Sequence, residues 1–267
     1  MPDDSSGADV ALAITYHDPE GRMRDQIERS LPSLIRIFVT IAVQASPTAN
    51  QGCLDLFATA GALIAREDDP RSDGARRTSQ GRRATVATAL KTDASFLMYC
   101  DGDRVLHWVE RYPEELAALV QRLPDNDFTV VGRTPRAFDS HPRVQRDTEA
   151  IINHVFAVVT ARHWDVTAAA RGMSRRAADA IVAECPDGGI ATDVVWPLFL
   201  LRAGDFTLGY AQAEGLEFET GDRYQDQIAA AGGYDRWLAQ LDADPLRWAH
   251  RLDAARIEVE AMVPFMG

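Results

Sequence analysis

The chain has 267 residues and a net charge of −12, with 46% hydrophobic and 25% charged residues. That is ordinary globular composition with enough apolar material for a sizeable core, as one large domain or one domain with a small appendage. The acidic balance offers no basic stripe to replace phosphate counterions, which argues against a nucleic-acid surface. No apolar run approaches the ~20 residues of a membrane span, and the longest, VVWPLFLL, is broken by Pro197.

Cys53, Cys100 and Cys185 are odd in number, far apart and outside any CxxC spacing. They read as reduced, buried thiols rather than as zinc ligands or disulfides. The N-terminal MPDDSSGAD is acidic and has neither a basic nor an apolar signal region, so the expected compartment is the cytoplasm.

After this polar tail, residues 1–9, VALAITYHD is a strand. MRDQIERSLPSLIRIF then places Met23, Ile27, Leu31, Leu34, Ile35 and Phe38 at helical spacing, with Pro32 expected to kink or restart the helix. VTIAVQAS is a second strand closed by Pro47. NQGCLDLFATAGALIARE reads as helix, DDPRSDGARRTSQGRR as a polar loop with a solvated arginine cluster, and ATVATALKT as a short helix. SFLMYC is a third strand, running into Asp101-Gly102-Asp103-Arg104. Continuously apolar strands separated by helices predict a mostly parallel sheet covered on both faces. Ligands of such sheets bind at the carboxyl ends of the strands. Those ends carry Tyr16, His17 and Asp18, then Gln44 and Ser46, then Asp101 and Asp103.

Downstream, VLHWVERYPEELAALVQRL is helical with a break at Pro113, and DFTVVGR is a strand. RDTEAIINHVFAVVTARHW is a long helix, SRRAADAIVAE a shorter one with Ser174 as N-cap, and TDVVWPLFLLRAG a helix ending at Gly204. FTLGYAQAEGLEF returns as a strand. From about Tyr224 the chain reads as terminal helices docking through Trp237, Leu238, Leu241, Trp248 and Leu252. The expected division is a tail (1–9), a catalytic domain (10–223) and a helical appendage (224–267), with no internal repeat.

Two neighbouring carboxylates raise each other's pKa unless a cation stabilises both ionised forms. Hard divalent ions accept one or two carboxylates together with phosphate oxygens and water, and Gly102 leaves room for a diphosphate. The alternative is a plain ion pair between one aspartate and Arg104. Two further D-x-D triplets, Asp125–Asp127 and Asp242–Asp244, follow no apolar strand and act as internal controls.

The strand ending in Tyr-His-Asp, the second strand–helix unit, the arginine-bearing segment and then FLMYCDGDR together resemble the GT-A glycosyltransferases, in particular bacterial family-2-like enzymes, over about residues 10–220. The resemblance implies a GT-A-like sandwich of a mostly parallel sheet flanked by helices. It implies Asp101 and Asp103 as ligands of Mn²⁺ or Mg²⁺ on a nucleotide-sugar diphosphate. It also implies donor contacts by Tyr16, His17, Asp18, Gln44, Ser46, Arg82, Arg83 and Arg104, and Asp193 as the general base toward an acceptor hydroxyl. A helix N-cap is an equally good reading of Asp193. The family's Glu-Asp pair is replaced here by Thr192-Asp193, and the late histidine that some members give to the metal has only His250 as counterpart, with Glu217 or Glu219 as substitute oxygen ligands.

The implied function is a metal-dependent glycosyltransferase acting on a nucleotide-sugar and a hydroxyl acceptor, with no nucleic-acid partner and with a homo-oligomer compatible. Two rivals stand beside it. A degenerate GT-A domain would bind a nucleotide-sugar or play a structural part. A nucleotidyltransferase would carry a glycine-rich loop with Arg and Lys after its first strand, where YHDPEGRMRD has one Gly and no Lys. No G-x-G-x-x-G follows any strand, against a Rossmann dehydrogenase.

Overall fold

A computed structural model describes residues 9–67, 74–186 and 189–266, with backbone alone over 74–80. The first strand, β1 (Val10–Tyr16), alternates Val10, Leu12, Ile14 and Tyr16 toward one core with Ala11 and Ala13 toward another, and all six are buried. A strand buried on both faces needs apolar residues at every position, which is why VALAITY carries no alternation. Helix α1 (Arg24–Ile37) buries Ile27, Leu31 and Leu34 against the first core, whereas Ile35 is left exposed. Pro32 lies inside α1, which continues to Ile37 as one helix rather than restarting. Strand β2 (Thr40–Ala45) and helix α2 (Gln51–Thr59, capped by Asn50) follow.

Two strands depart from the sequence reading. Gly61, at φ +82°, lies between α2 and a four-residue strand, β3 (Leu63–Arg66), in a segment that reads as continuous helix. A left-handed glycine there is the usual stop signal. The second is β6, described below. The loop reading of 68–83 also needs correction: 68–73 lie outside the described residues, but helix α3 already starts at Gly74 and runs to Ala89. Arg82 and Arg83 are therefore held on a helix.

Strand β4 (Phe96–Asp101) passes directly into α4 (Gly102–Arg111), followed by α5 (Pro113–Arg122), β5 (Phe128–Arg133), α6 (Pro135–Asp139) and α7 (Arg143–Thr160). Strand β6 (Ala170–Ser174) is followed by α8 (Arg175–Ala183), whose N-cap Ser174 accepts from Ala177 N. Then come α9 (Thr192–Ala203, stopped at Gly204 with φ +81°), β7 (Leu208–Ala213), α10 (Gln225–Ala231), α11 (Tyr234–Asp242) and α12 (Pro245–Met262).

The seven strands form one sheet in the order β3-β2-β1-β4-β6-β5-β7. All neighbours are parallel except β6, which runs antiparallel to β4 and β5. Helices α1, α2, α4 and α5 cover one face, and α3, α7, α8, α9 and α12 the other, where Ala255 and Met262 of α12 enter the core. Thr15 pairs with Gln44 on one side and with Asp101 on the other, so β1, β2 and β4 end level with one another. That register gathers three polar strand ends at one edge.

The turn from β4 into α4 passes so close to β1 that a Cβ on Gly102 would lie 2.8 Å from the carbonyl oxygen of Thr15. Packing against backbone, which cannot rotate away, is thus the reason for glycine here. Gly102→Ala should cost about 1–3 kcal/mol, read as a lower urea midpoint at unchanged m-value. An unchanged midpoint would contradict the close approach.

Candidate functional site

A cavity of about 320 Å³ opens where β1, β2 and β4 end. Tyr16, His17, Gln44, Ser46, Arg82, Asp101 and Asp103, all singled out from the sequence, line it together, with Thr15, Glu67 and Arg223 completing the wall. His17 Nδ1 lies 2.8 Å from Ser46 Oγ, and Thr88 Oγ1 donates to Gln44 Oε1 at 3.1 Å, so the ends of β1 and β2 are braced before any ligand arrives.

Three of the donor-contact candidates, and Asp193 with them, stand outside this cavity. Asp18 is buried and accepts from Met23 N (2.8 Å), Arg22 N (3.1 Å) and Tyr16 Oη (3.3 Å), so its carboxylate shapes the turn into α1. Arg83 points the other way and donates to the carbonyls of Cys185 (2.7 Å) and Pro186 (3.0 Å). Arg104 is buried with its Nη1 3.9 Å from Glu219 Oε2, so its ionic partner is neither aspartate of the triplet.

Asp101 is held on all sides. Its Oδ1 accepts from Thr15 Oγ1 (2.9 Å) and from the Tyr99 hydroxyl, and its Oδ2 accepts from Arg82 Nη2 at 3.3 Å. Burial works to raise this carboxyl, but Arg82 and then Arg104 outweigh it and hold the group below the usual aspartate range. Asp103 goes the other way: burial and then Glu219 push it up, against the opposing pull of Arg223, whose Nη2 lies 2.7 Å from Asp103 Oδ2. Two carboxylates at one strand mouth thus differ in environment, which is the situation that separates their protonation states.

Asp193 lies in the first turn of α9, and its side chain caps nothing. Its Oδ2 accepts from Arg82 Nη1 (2.9 Å) and its Oδ1 from Arg171 Nη2 (3.0 Å). Arg82 therefore bridges Asp101 and Asp193. Glu217 is taken by Arg136 and His107, and His250 lines a different cavity, with Trp237 and Arg247. Glu219 is buried near Asp103, and its Oε2 has no hydrogen-bond partner.

Tyr99, Thr15, Arg171 and Arg223 were not singled out from the sequence. Tyr99 carried a signal, because it stands two residues before Asp101 and so shares its face of the strand. Arg223, in a polar stretch far along the chain, carried none. Among the described residues no group of three or more His, Cys, Asp and Glu converges to hold a metal ion. Two carboxylates lining a cavity are nevertheless the protein complement that Mg²⁺ or Mn²⁺ uses when phosphate oxygens and water supply the rest. In this respect Asp101 and Asp103 fit such an ion.

Sheet order, the single antiparallel strand and a cavity at the ends of β1, β2 and β4 describe an α/β protein with a GT-A-like fold. Glucosyl-3-phosphoglycerate synthase of Mycobacterium tuberculosis superposes with a TM-score of 0.58 at 13% identity, over 98% of this chain and 81% of that one. A structure of a mycobacterial protein gives 0.56 at 13% identity, over 98% and 76%. The M. tuberculosis synthase in complex with Mn²⁺, UDP and phosphoglyceric acid gives 0.53 at 12% identity, over 98% and 79%. No protein-family profile and no curated protein sequence matches the chain. No helix among the described residues is long and apolar enough to cross a membrane.

The segment that delivers Arg223 to Asp103 is tied to α4 by His107, whose Nδ1 lies 2.6 Å from Asp222 Oδ2 and Nε2 3.2 Å from Glu217 Oε1. Burial alone would lower this imidazole's pKa, but Asp222 and then Glu217 raise it above the ordinary histidine value. A raised folded-state pKa contributes stability that is whole below the unfolded value of ~6.5 and fades as pH rises through the folded one. The stability advantage of wild type over His107→Gln should therefore shrink as pH rises above the unfolded value of ~6.5, measured by urea denaturation at each pH. A constant difference would mean that His107 titrates alike in the folded and unfolded states.

Proposed function

We propose that this chain transfers a sugar from a nucleotide-diphosphate sugar to a hydroxyl acceptor, with a divalent cation as cofactor. The observation that carries the proposal is the convergence of Asp101, Asp103, Arg82 and Arg223 on one cavity at the carboxyl ends of β1, β2 and β4. Carboxylates alone would repel a diphosphate. Carboxylates interleaved with two guanidiniums suit a diphosphate that arrives with a cation. The complexes of the structurally similar synthase with Mn²⁺ and UDP support the same ligand chemistry.

Asp101 and Asp103 would hold the cation, which when bound neutralises charge on the departing diphosphate. Arg82 is fixed by Asp101 and Asp193 before substrate arrives, so its positive charge needs no reorganisation when that charge develops. Arg223, paired with Asp103 through Nη2 and with its buried Nε lacking a hydrogen-bond partner, lines the same cavity. Tyr16, His17, Gln44 and Ser46 form the wall where the nucleoside would lie.

UDP and UDP-glucose serve as probes. Calorimetry should show binding in Mn²⁺ that weakens by at least about tenfold, some 1.4 kcal/mol, in EDTA or in Asp103→Asn. Asp125→Ala, in the control triplet, should leave it unchanged. Equal affinity with and without the cation would remove the metal from the proposal. Tight binding with no transfer to any hydroxyl compound would favour a nucleotide-sugar binding protein.

A further inference from the structure

A second, inner cavity of about 230 Å³ adjoins the first and shares Arg82 and Asp101 with it. Helices α7, α9 and α12 contribute Glu149, Asp193 and Glu258 to its wall. Three of the four carboxylates facing this space are matched by guanidiniums. Asp101 has Arg82, Asp193 has Arg82 and Arg171, and Glu149 has Arg133 (2.7 Å) and Arg251 (3.2 Å). Glu258 is the exception. It is 8% exposed, it has no ion-pair partner among the described residues, and its buried Oε2 accepts no hydrogen bond.

An unpaired carboxylate in an interior costs several kcal/mol, so its retention beside a cavity needs a reason. Packing does not provide one, because Ala255 and Met262 already dock this face of α12. The charged groups around Glu258 are Asp193 on α9, Arg82 on α3, Glu149 on α7 and Arg171 on β6, with Asp101 and Arg104 in the same cavity wall and Arg251 about two turns back on α12. Burial and then Asp193 raise its pKa well above the usual glutamate range, and Arg82 only partly offsets them. A carboxylate that lines a cavity, has an oxygen without a hydrogen-bond partner and holds its proton more tightly than an ordinary glutamate has the properties of a general base. Asp193, with both oxygens already accepting from guanidiniums, does not.

We propose that Glu258 is the catalytic base, that the inner cavity receives the acceptor hydroxyl, and that transfer is a single displacement with inversion. This rests on the outer cavity binding a nucleotide-sugar. The acceptor O–H proton passes to the Glu258 carboxylate as the acceptor oxygen bonds to the anomeric carbon. The bond from that carbon to the diphosphate oxygen breaks, and its electron pair leaves on the nucleoside diphosphate beside Arg82. Asp193 is then a positioning residue that holds Arg82. A base-assisted attack by the acceptor itself on the anomeric carbon is one displacement, and inversion follows from it.

The test uses the full chain, UDP-glucose with Mn²⁺, and water as the acceptor probe. Glu258→Gln should lower UDP release by ~10²–10⁴-fold with UDP affinity unchanged, and it should abolish the fall in rate toward acid pH that the wild type shows. The first-formed product should be β-glucose by NMR, from an α-linked donor. Asp193→Asn should instead weaken UDP-glucose binding and keep the acid limb. Melting curves add a readout that needs no turnover. Because the folded-state pKa of Glu258 is raised, the group destabilises the fold as pH rises above the unfolded value of ~4.3. Glu258→Gln should therefore raise Tm near neutral pH, with the gain vanishing near about pH 4. Unchanged UDP release by Glu258→Gln, α-glucose as first product, a Tm loss at neutral pH, or binding without release by the wild type would each overturn the assignment. Absence of any UDP or UDP-glucose binding would overturn the nucleotide-sugar reading itself.

Discussion

The guanidinium of Arg82 is the interaction on which the rest of the site depends. It donates to Asp101 at the end of β4, and to Thr192 and Asp193 at the start of α9, from a helix on the same face of the sheet. Its side chain is 11% exposed and that of Asp193 12%, so these two charges are largely shielded from bulk water. Removing one partner of such a buried set leaves the others uncompensated, at a cost of ~3–5 kcal/mol. Completeness of the set is what holds α3, β4 and α9 in one mutual position. The strand end carrying Asp101 is thus fixed by electrostatics as well as by the sheet ladder. Tyr99, whose ring lies 5.9 Å from the guanidinium carbon, and Thr15 finish the cage around the carboxylate.

Against this complete set, the incomplete pairs stand out. Buried side-chain atoms without a hydrogen-bond partner include Arg104 Nη1, Glu219 Oε2, Arg223 Nε and Glu258 Oε2, all from residues bordering the two cavities or touching those that do. Native interiors rarely leave such atoms unsatisfied. Where they cluster, the fold sacrifices stability for local chemistry. The Arg104–Glu219 contact of 3.9 Å and the elevated carboxyl of Asp103 belong to the same pattern.

Control triplets sharpen the meaning of D-x-D in an acidic chain. Asp127 accepts from Thr207, Ser174 and Arg176, and Asp242 accepts from Val144 N, so both stitch elements together. Among the described residues, only Asp101 and Asp103 of the three triplets face the cavity at the strand ends, whereas Asp244 lines a separate one with Trp237 and Arg247. Even there the glycine between them is explained by the Thr15 carbonyl above it, not by room for a ligand.

Much of the framework was legible in the sequence because it rests on short-range periodicity. Runs such as VALAITY and FLMYC can only be strands buried on both faces, and Ser174 and Gly204 mark helix ends by local chemistry. The level strand ends of β1, β2 and β4 follow from a parallel sheet. Exceptions arose where local pattern and environment diverge. β3 is a four-residue edge strand, β6 carries a buried arginine in its middle, and α3 begins in a segment polar enough to read as loop. What only the tertiary structure decided is the partner of each charge. Arg82 and Arg83 are neighbours of one type, yet one bridges Asp101 and Asp193 while the other binds carbonyls beyond α8. Asp193 stands 111 positions from Arg82, and Glu258 is further along still. Periodicity reports which face of an element is buried. It carries no information about which distant charge will be buried beside it, and that pairing sets the chemistry of the site.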